Sequence, residues 1–168
     1  MTSRIETRLR ELGLALPAQC TPRGNFLPYR VEGGLVFLAG QICEWNGAVP
    51  YTGPVVKPGI DPAAQGGVDM AAGRKAAEIC ALNLLFHLRD ACGGQLDKVA
   101  RIVRVAGYVN CLSGFDQSPA VINGASDLFI ALLGEDGRHA RTAIGVAGLP
   151  ANAAVEVDAV IALHGEGL

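Results

Sequence analysis

The sequence has few aromatic residues and no excess of positive charge. Phenylalanine, tyrosine and tryptophan make up 5% of its 168 residues, and 14 basic against 16 acidic side chains give a formal net charge of −2. Proteins that bind nucleic acids normally carry a basic surface and aromatic side chains on which bases stack. The composition therefore argues against a nucleic-acid partner.

Long apolar segments are also missing. No stretch approaches the roughly 20 apolar residues that a membrane-spanning helix needs. The first residues, MTSRIETRLRELG, carry charges every few positions where a signal peptide would have an apolar centre. We therefore expect a cytoplasmic protein that does not contact a membrane.

The sequence lacks the residue patterns of a disulfide framework or a metal site. Its five cysteines are an odd number at wide spacing and include no CxxC pair: Cys20, Cys43, Cys80, Cys92 and Cys111. Its three histidines are scattered over different predicted elements: His87, His139 and His164. The glycine pairs fit turns and helix ends better than a phosphate-binding loop. We expect free thiols, no metal ion and no cofactor.

Half of the residues are hydrophobic and only 18% are charged, which is typical of a chain that buries a large core. We predict one domain over residues 1–168. Ser3 and Glu6 have the spacing of a capping box and Gly13 ends the apolar helical pattern, so residues 1–22 are predicted to form a helical extension and a connector.

The remaining pattern predicts a mixed β-sheet with two helices packed on one face, an α+β fold. Strands are predicted at residues 26–31, 35–42 and 99–109, and helices at 68–92 and from Pro119 to Leu133. Residues 44–67 are predicted to be a long loop. Trp45 and Tyr51 in that loop either cover a pocket or fix the loop to the body of the protein.

Residues 139–163 contain two alternating apolar runs around a Leu149-Pro150 turn, and we predict a terminal hairpin. Arg141 shares one face of the first strand with the small residues Ala143 and Gly145. An arginine above a floor of small side chains is a good receptor for a carboxylate, although arginines at strand starts are more often solvated surface residues. The spacing alone leaves both interpretations open.

Two motifs carry a resemblance to a known family. The run Arg-Thr-Ala, Leu-Pro and Val-Glu-Val-Asp-Ala between Arg141 and Ala159 resembles the C-terminal signature of the RidA (YjgF/YER057c/UK114) family, and LVFLAGQ at residues 35–41 resembles its early strand. The resemblance covers about residues 24–163. It implies a chorismate-mutase-like fold in which three subunits form a barrel, with ligand clefts between them.

The resemblance also implies roles for four residues. Arg141 matches the arginine that binds the substrate carboxylate, and Glu156 matches the glutamate that holds or activates water. Gly40 matches the glycine whose backbone amide faces the ligand, and Asn123 falls where the family often has an asparagine.

Two positions depart from the family pattern. Phe26 stands where the family has a tyrosine in its substrate cleft, so one polar contact is lost there. Ala143 stands where many members have a cysteine, so thiol chemistry is absent at that point. Cys43 could be an exposed nucleophile, but the sequence shows no base beside it.

We weigh three functions. The first is an enamine/imine deaminase that hydrolyses small 2-imino acids to 2-keto acids and ammonia without a cofactor. The second is a non-enzymatic homotrimer that binds a small carboxylic metabolite. The third, an endoribonuclease, fits the acidic composition poorly. We expect a homotrimer in which a charge on the apolar sheet face, such as Val157→Lys, abolishes assembly.

Overall fold

The structure, a computed structural model, describes residues 3–20 and 22–165. These residues form three helices and five strands, in the order α1 (Arg4–Glu11), β1 (Tyr29–Glu32), β2 (Leu35–Ile42), α2 (Met70–Ala91), β3 (Val99–Asn110), α3 (Ser118–Leu133), β4 (Ala140–Val146) and β5 (Val155–Leu163). Short 3₁₀ helices occur at Ala63–Gln65, Leu96–Lys98, Gly134–Gly137 and Pro150–Asn152. The predicted order of elements is confirmed.

The five strands form one mixed sheet in the order β1-β2-β5-β3-β4. Strands β3 and β4 are parallel, and all other neighbours are antiparallel. Helices α2 and α3 pack together and against the sheet, and the buried apolar side chains of both layers form one core. The predicted α+β fold with two helices on one face is therefore confirmed.

The predicted terminal hairpin is wrong. Strand β5 does not pair with β4; it inserts between β2 and β3 and forms a ladder with each. β4 pairs instead with β3. The two strands are parallel, and helix α3 forms the crossover connection between them. The apolar pattern of β5 explains its place, since Val155, Val157, Ala159 and Ile161 are almost fully buried and a central strand gains most from such side chains.

The first strand is shorter than predicted. It begins at Tyr29 instead of Phe26, because Pro28 has no N–H to donate to a ladder and residues 23–26 form bends. The predicted turn between β1 and β2 is confirmed. Gly33 and Gly34 both adopt positive φ, which the two central residues of a type I′ hairpin turn require.

Helix α1 packs on the body of the protein. The Ser3 hydroxyl accepts from the Glu6 N–H and the Glu6 carboxylate accepts from the Ser3 N–H, so the predicted capping box is confirmed. Ile5 and Leu9 are buried in the core, and the Arg4 N–H donates to Asp97 Oδ1 at 2.9 Å. The helix therefore has a structural role in this chain.

Helices α2 and α3 approach each other closely because of small residues at their crossing. A Cβ at Gly124 of α3 would collide with the carbonyl of Arg74 in α2. Helix α2 also carries the fully buried residues Ala76, Ala77 and Ala81, and Ala77 lies opposite Gly124. These short side chains allow α2 to pack closely against its neighbours.

The segment of residues 44–67 is a loop with one short 3₁₀ helix, as predicted. The side chains of Trp45 and Tyr51 are partly buried and pack against the core. The backbone of the loop also bonds to the residues before β5, since Ala154 N–H donates to Tyr51 O at 3.0 Å and Gly53 N–H donates to Asn152 O at 2.7 Å. These contacts fix the loop to the body of the protein.

The second face of the sheet is not covered by helices. Large apolar side chains are exposed there, among them Phe37 at 45%, Ile144 at 46% and Val103 at 39%. We call this surface the open face. Val157 does not belong to it, because Val157 is fully buried on the helix side. The expectation that Val157→Lys tests assembly is therefore wrong, since a lysine there would disrupt the core.

Candidate functional site

Glu156 and Gly40 are in direct contact. The side chain of Glu156 on β5 lies over the backbone of β2, where the ladder between the two strands has an irregularity between Leu38 and Gln41. A Cβ added at Gly40 would collide with the carboxyl oxygen of Glu156. The glycine is therefore required for the carboxyl group to occupy this position.

Glu156 borders a cavity of about 140 Å³ at the end of β2. Side chains from β2, β5, α2 and the connector line it: Cys20, Pro22, Arg23, Phe26, Gly40, Gln41, Ile42, Glu44, Asn83, Pro150 and Glu156. We call it the Glu156 cavity. It brings together three of the residues predicted to form the site, namely Glu156, Gly40 and Phe26.

The environment of Glu156 favours its protonated form. Burial raises the pKa of the Glu156 carboxyl above its ordinary value, and the negative charge of Asp158 on the same strand raises it further. A carboxyl group whose pKa moves towards neutrality is better suited to exchange protons with a substrate. The position of Glu156 thus suits a general acid or base.

The connector contributes side chains to this cavity that the sequence pattern did not identify. The guanidinium of Arg23 donates through Nε to Glu44 Oε2 at 2.7 Å. The thiol of Cys20 lies 3.1 Å from Gln41 Oε1 and 3.2 Å from Nε2 of His87. Burial, followed by the charge of Glu44, raises the pKa of Cys20 to about 11, so this cysteine is a neutral thiol.

Arg141 is held by three acceptors around helix α3. Its Nη1 donates to Asn123 Oδ1 at 2.8 Å and to Ser126 Oγ at 3.0 Å, and its Nη2 donates to the carbonyl oxygen of Pro119 at 3.2 Å. These bonds use three of the five N–H groups of the guanidinium. Within residues 3–20 and 22–165 the remaining N–H groups, on Nε and Nη2, have no acceptor, and a guanidinium can use such groups to bind a carboxylate.

A second hydrogen bond fixes the serine that holds Arg141. His139 Nδ1 lies 2.7 Å from the carbonyl oxygen of Gly137, and its Nε2 lies 2.9 Å from Ser126 Oγ. Because a carbonyl can only accept, Nδ1 carries the proton and Nε2 accepts from the Ser126 hydroxyl. Burial lowers the pKa of His139, which keeps the ring in this neutral form. Sequence spacing gave no signal for either Ser126 or His139.

Within one chain, Arg141 and Glu156 lie on opposite faces of the sheet. Arg141 is the register partner of Val105, which faces the helices, whereas Glu156 is the register partner of Tyr108 on the open face. Strand β3 also separates the two residues. One chain therefore cannot place both side chains on the same small ligand.

The predicted floor of small residues beneath Arg141 is present, with Ala143 partly buried and Gly145 exposed. Ala143 and Gly145 share the face of Arg141, and this face turns towards α3 and the segment before it. A Cβ at Gly145 would collide with the Cys111 sulfur. The glycine therefore leaves room for the Cys111 side chain, and the small floor beneath Arg141 stays a prediction as a receptor surface.

No group of three or more metal-ligating side chains occurs within residues 3–20 and 22–165. Among the same residues, no helix is long and apolar enough to cross a membrane. All five cysteines are free, and Cys43, which could have been an exposed nucleophile, is buried. Burial raises the pKa of Cys43, which argues against a thiolate there.

The chain is similar to proteins of known sequence and structure over almost all of its length. A family described as "YjgF/chorismate mutase-like, putative endoribonuclease" matches residues 6–163, a range that includes most of helix α1. Protein TCP17 of Trypanosoma cruzi is 36% identical over 164 residues, which are 97% of this chain and 96% of that protein.

Two solved structures share the whole fold. The Agrobacterium tumefaciens protein Atu1372 is 39% identical, with a TM-score of 0.82 over 95% of this chain and 92% of that one. A Shewanella oneidensis protein described as a putative endoribonuclease is 29% identical, with a TM-score of 0.83 over 95% of this chain and 99% of that one. The chain belongs to the YjgF/RidA family, as its C-terminal motif predicted.

Proposed function

We propose that this protein is an enamine/imine deaminase that hydrolyses small 2-imino acids to 2-keto acids and ammonia. Family membership supports this reaction class, and two groups of the chain supply the required chemistry. Arg141 offers a guanidinium fork for the carboxylate of the substrate. Glu156 offers a half-buried carboxyl group with a raised pKa for proton transfer to and from water.

Arg141 binds the substrate carboxylate in this proposal. Asn123, Ser126 and the Pro119 carbonyl hold the guanidinium in place, and the N–H groups on Nε and Nη2 then donate to the two carboxylate oxygens. A bidentate contact of this kind fixes the orientation of the neighbouring imine carbon.

Glu156 acts as the general base and then as the general acid. A water molecule adds to the imine carbon, its oxygen forms the new C–O bond, and Glu156 takes the released proton. Glu156 passes this proton to the nitrogen, which has taken the electron pair of the C=N bond, and a neutral carbinolamine results. Glu156 then takes the hydroxyl proton as the C=O bond forms and gives it to the nitrogen as the C–N bond breaks, so the nitrogen leaves as ammonia. The overall reaction consumes one water molecule and requires no cofactor.

The active form in this proposal is a homotrimer with its sites between subunits. Arg141 and Glu156 lie on opposite faces of one sheet, so a complete site needs Arg141 of one subunit beside Glu156 of the next. The exposed apolar side chains of the open face, including Phe37 and Ile144, supply a surface that can be buried in such an assembly. The number three comes from the family.

The contact between Glu156 and Gly40 is the observation that carries the proposal, because it holds a carboxyl group at a cavity where burial raises its pKa. The test measures ammonia release from freshly generated 2-iminobutanoate by the wild type, Arg141→Ala and Glu156→Gln. We expect both variants to lose at least about 100-fold in kcat/KM. Equal ammonia release by wild type and Arg141→Ala contradicts the proposal.

The second candidate is a non-enzymatic homotrimer that binds a small carboxylic metabolite. It is favoured by Phe26, which brings no hydroxyl to the Glu156 cavity. In this case 2-ketobutyrate stabilises the protein against heat and Arg141→Ala abolishes that effect, while no imine is turned over. Endoribonuclease activity, which names of relatives mention, remains disfavoured by the net charge of −2.

We also infer one domain over residues 1–168 and a location in the cytoplasm. Helix α1 shares one core with the sheet, which supports a single domain. Five free cysteines are typical of a reducing compartment.

A further inference from the structure

Asn83 of helix α2 is a buried amide whose nitrogen bonds to two backbone carbonyls. Its side chain is almost fully buried, at 1% exposure, and its Nδ2 donates to Ile42 O at 3.0 Å and to Glu44 O at 2.7 Å. Both acceptors are carbonyl oxygens, so the amide nitrogen must face them and the orientation of the group is fixed. No donor bonds to Asn83 Oδ1 from the described ranges 3–20 and 22–165.

The unused oxygen is accessible from the Glu156 cavity. Within the part of the chain that the structure describes, every fully enclosed side-chain oxygen has a hydrogen-bond partner. Asn83 Oδ1 accepts no hydrogen bond from a residue in the described ranges 3–20 and 22–165. Asn83 lines the Glu156 cavity, which is where a small molecule can reach this oxygen.

Asn83 and Glu156 are close through the backbone of β2. The carbonyl that accepts from Asn83 belongs to Ile42, and Ile42 is the register partner of Glu156 in the ladder between β2 and β5. The cavity that both residues line measures about 140 Å³, which is enough for a few water molecules and too little for a large ligand.

We propose that Asn83 is a water-positioning residue, whose Oδ1 and the Glu156 carboxylate together hold the water molecule that attacks the imine. This inference rests on the proposed deaminase function. Both groups are hydrogen-bond acceptors, so the molecule between them must donate two hydrogens. A water held by both hydrogens keeps its oxygen lone pairs free for the imine carbon. Asn83 thereby orients the nucleophile and Glu156 removes its proton.

The first test is a double-mutant cycle on ammonia release. We expect Asn83→Ala to lower kcat about 10-fold, the effect of one lost hydrogen bond to water, with KM unchanged. Because the two groups act on one water molecule, Asn83→Ala/Glu156→Gln should be no slower than Glu156→Gln alone. Multiplied losses in the double variant overturn the proposal.

The matched control is Asn110→Ala. Asn110 is also a buried amide, and its Nδ2 donates to the carbonyl of Ala153 at 3.3 Å, but it does not line the Glu156 cavity. We expect Asn110→Ala to lower the melting temperature as Asn83→Ala does while kcat stays at the wild-type value. If the two variants lose activity in proportion to stability, Asn83 has only a structural role and the proposal fails.

The second test does not depend on activity or on a folded variant. A crystal structure of the wild type at a resolution better than about 1.8 Å should show a water within hydrogen-bond distance of Asn83 Oδ1 and of a Glu156 oxygen. An ordered cavity without such a water overturns the proposal. A wild type that turns over no imine contradicts the deaminase function itself, whereas turnover without the bridging water contradicts the role of Asn83 alone.

Discussion

Ser126 stands between Arg141 and His139, accepting a hydrogen bond from the guanidinium at 3.0 Å and donating its own hydrogen to the imidazole at 2.9 Å. The neutral ring is fixed in turn by the carbonyl of Gly137. The Gly137 carbonyl fixes the proton on His139 Nδ1, so His139 Nε2 must accept from Ser126, and the Ser126 oxygen can then accept from Arg141. His139 therefore helps to position the guanidinium without a hydrogen bond to it.

Replacement of Ser126 should loosen Arg141. We expect Ser126→Ala to weaken binding of 2-ketobutyrate about 2- to 10-fold, since one hydrogen bond of the guanidinium is lost. Calorimetric titration measures the affinity. Ser118→Ala in the same helix is the control, because Ser118 is also buried but is not among the hydrogen-bond partners of Arg141. Equal affinities of Ser126→Ala and the wild type would show that Asn123 and Pro119 suffice.

A methyl group at Gly40 should displace the Glu156 carboxyl. We expect Gly40→Ala to lower kcat at least about 10-fold, because the new Cβ collides with the carboxyl oxygen and a flexible side chain moves more easily than a strand. Steady-state kinetics measure the loss. Gly148→Ala is the control, since a Cβ there meets no atom within 4 Å. In a Glu156→Ala background, Gly40→Ala should have no further effect, and an additional loss there contradicts the mechanism.

The charge of Glu156 should reduce stability at neutral pH. Its folded pKa is raised by burial and by Asp158, so the folded state retains this proton to a higher pH than the unfolded state. Stability then falls as the pH rises from the unfolded to the folded pKa, and the cost remains fully present above it. We expect Glu156→Gln to have a higher melting temperature than the wild type at pH 8, and a smaller difference at pH 4. A difference that grows towards acid pH contradicts this assignment.

The Glu156 carboxyl should also determine the acidic limb of the pH dependence of kcat. Glu156 must be ionised to accept a proton from water, so kcat should fall as the pH decreases through its raised pKa. The apparent pKa of this limb should lie above that of an ordinary glutamate. Asp158→Asn, which removes the nearby negative charge, should shift the limb towards lower pH. A limb that stays in place in Asp158→Asn contradicts the part assigned to Asp158.

A charge on the open face should prevent assembly. Phe37 and Ile144 are exposed there at 45% and 46%, and burial of a lysine between subunits without a partner is unfavourable. We expect Phe37→Lys and Ile144→Lys to be folded monomers by light scattering and circular dichroism, without ligand-induced stabilisation. Leu27→Lys is the control, since Leu27 is exposed at 60% outside the strands. A Phe37→Lys monomer that binds 2-ketobutyrate at full affinity contradicts the site between subunits.

Local elements of the fold could be predicted from the sequence because their signals lie within a few residues. Strand β2 runs from Leu35 to Ile42 as its apolar alternation predicted, and α2 differs from its predicted bounds by two residues at the start and one at the end. The hairpin of β4 and β5 was wrong because strand pairing depends on distant segments. The sequence of residues 139–163 alone does not indicate that β3 pairs with both β4 and β5.

In the candidate site, too, the sequence motif identified some residues, whereas contacts between distant segments could not be predicted. The family motif directed attention to Arg141 and Glu156, and the register of the sheet then placed them on opposite faces. Ser126, His139 and Asn83 gave no sequence signal, because each acquires its partners only when separate segments meet. The contact between Cys20, which lines the Glu156 cavity, and His87 joins residues 67 positions apart, which no periodicity in the sequence could indicate.

The central place of β5 has a consequence for how the chain reaches its native state on the ribosome. Strands β2 and β3 are synthesised before β5. Until β5 has emerged and inserted between them, β2 can pair only with β1 and β3 only with β4. Most of the sheet therefore forms late, from contacts between residues far apart in sequence, which slows folding and leaves strand edges open to other chains in the meantime. A polypeptide interrupted before Val155 would retain two separate sheet fragments with exposed edges, and it should aggregate instead of folding to a smaller version of the same structure.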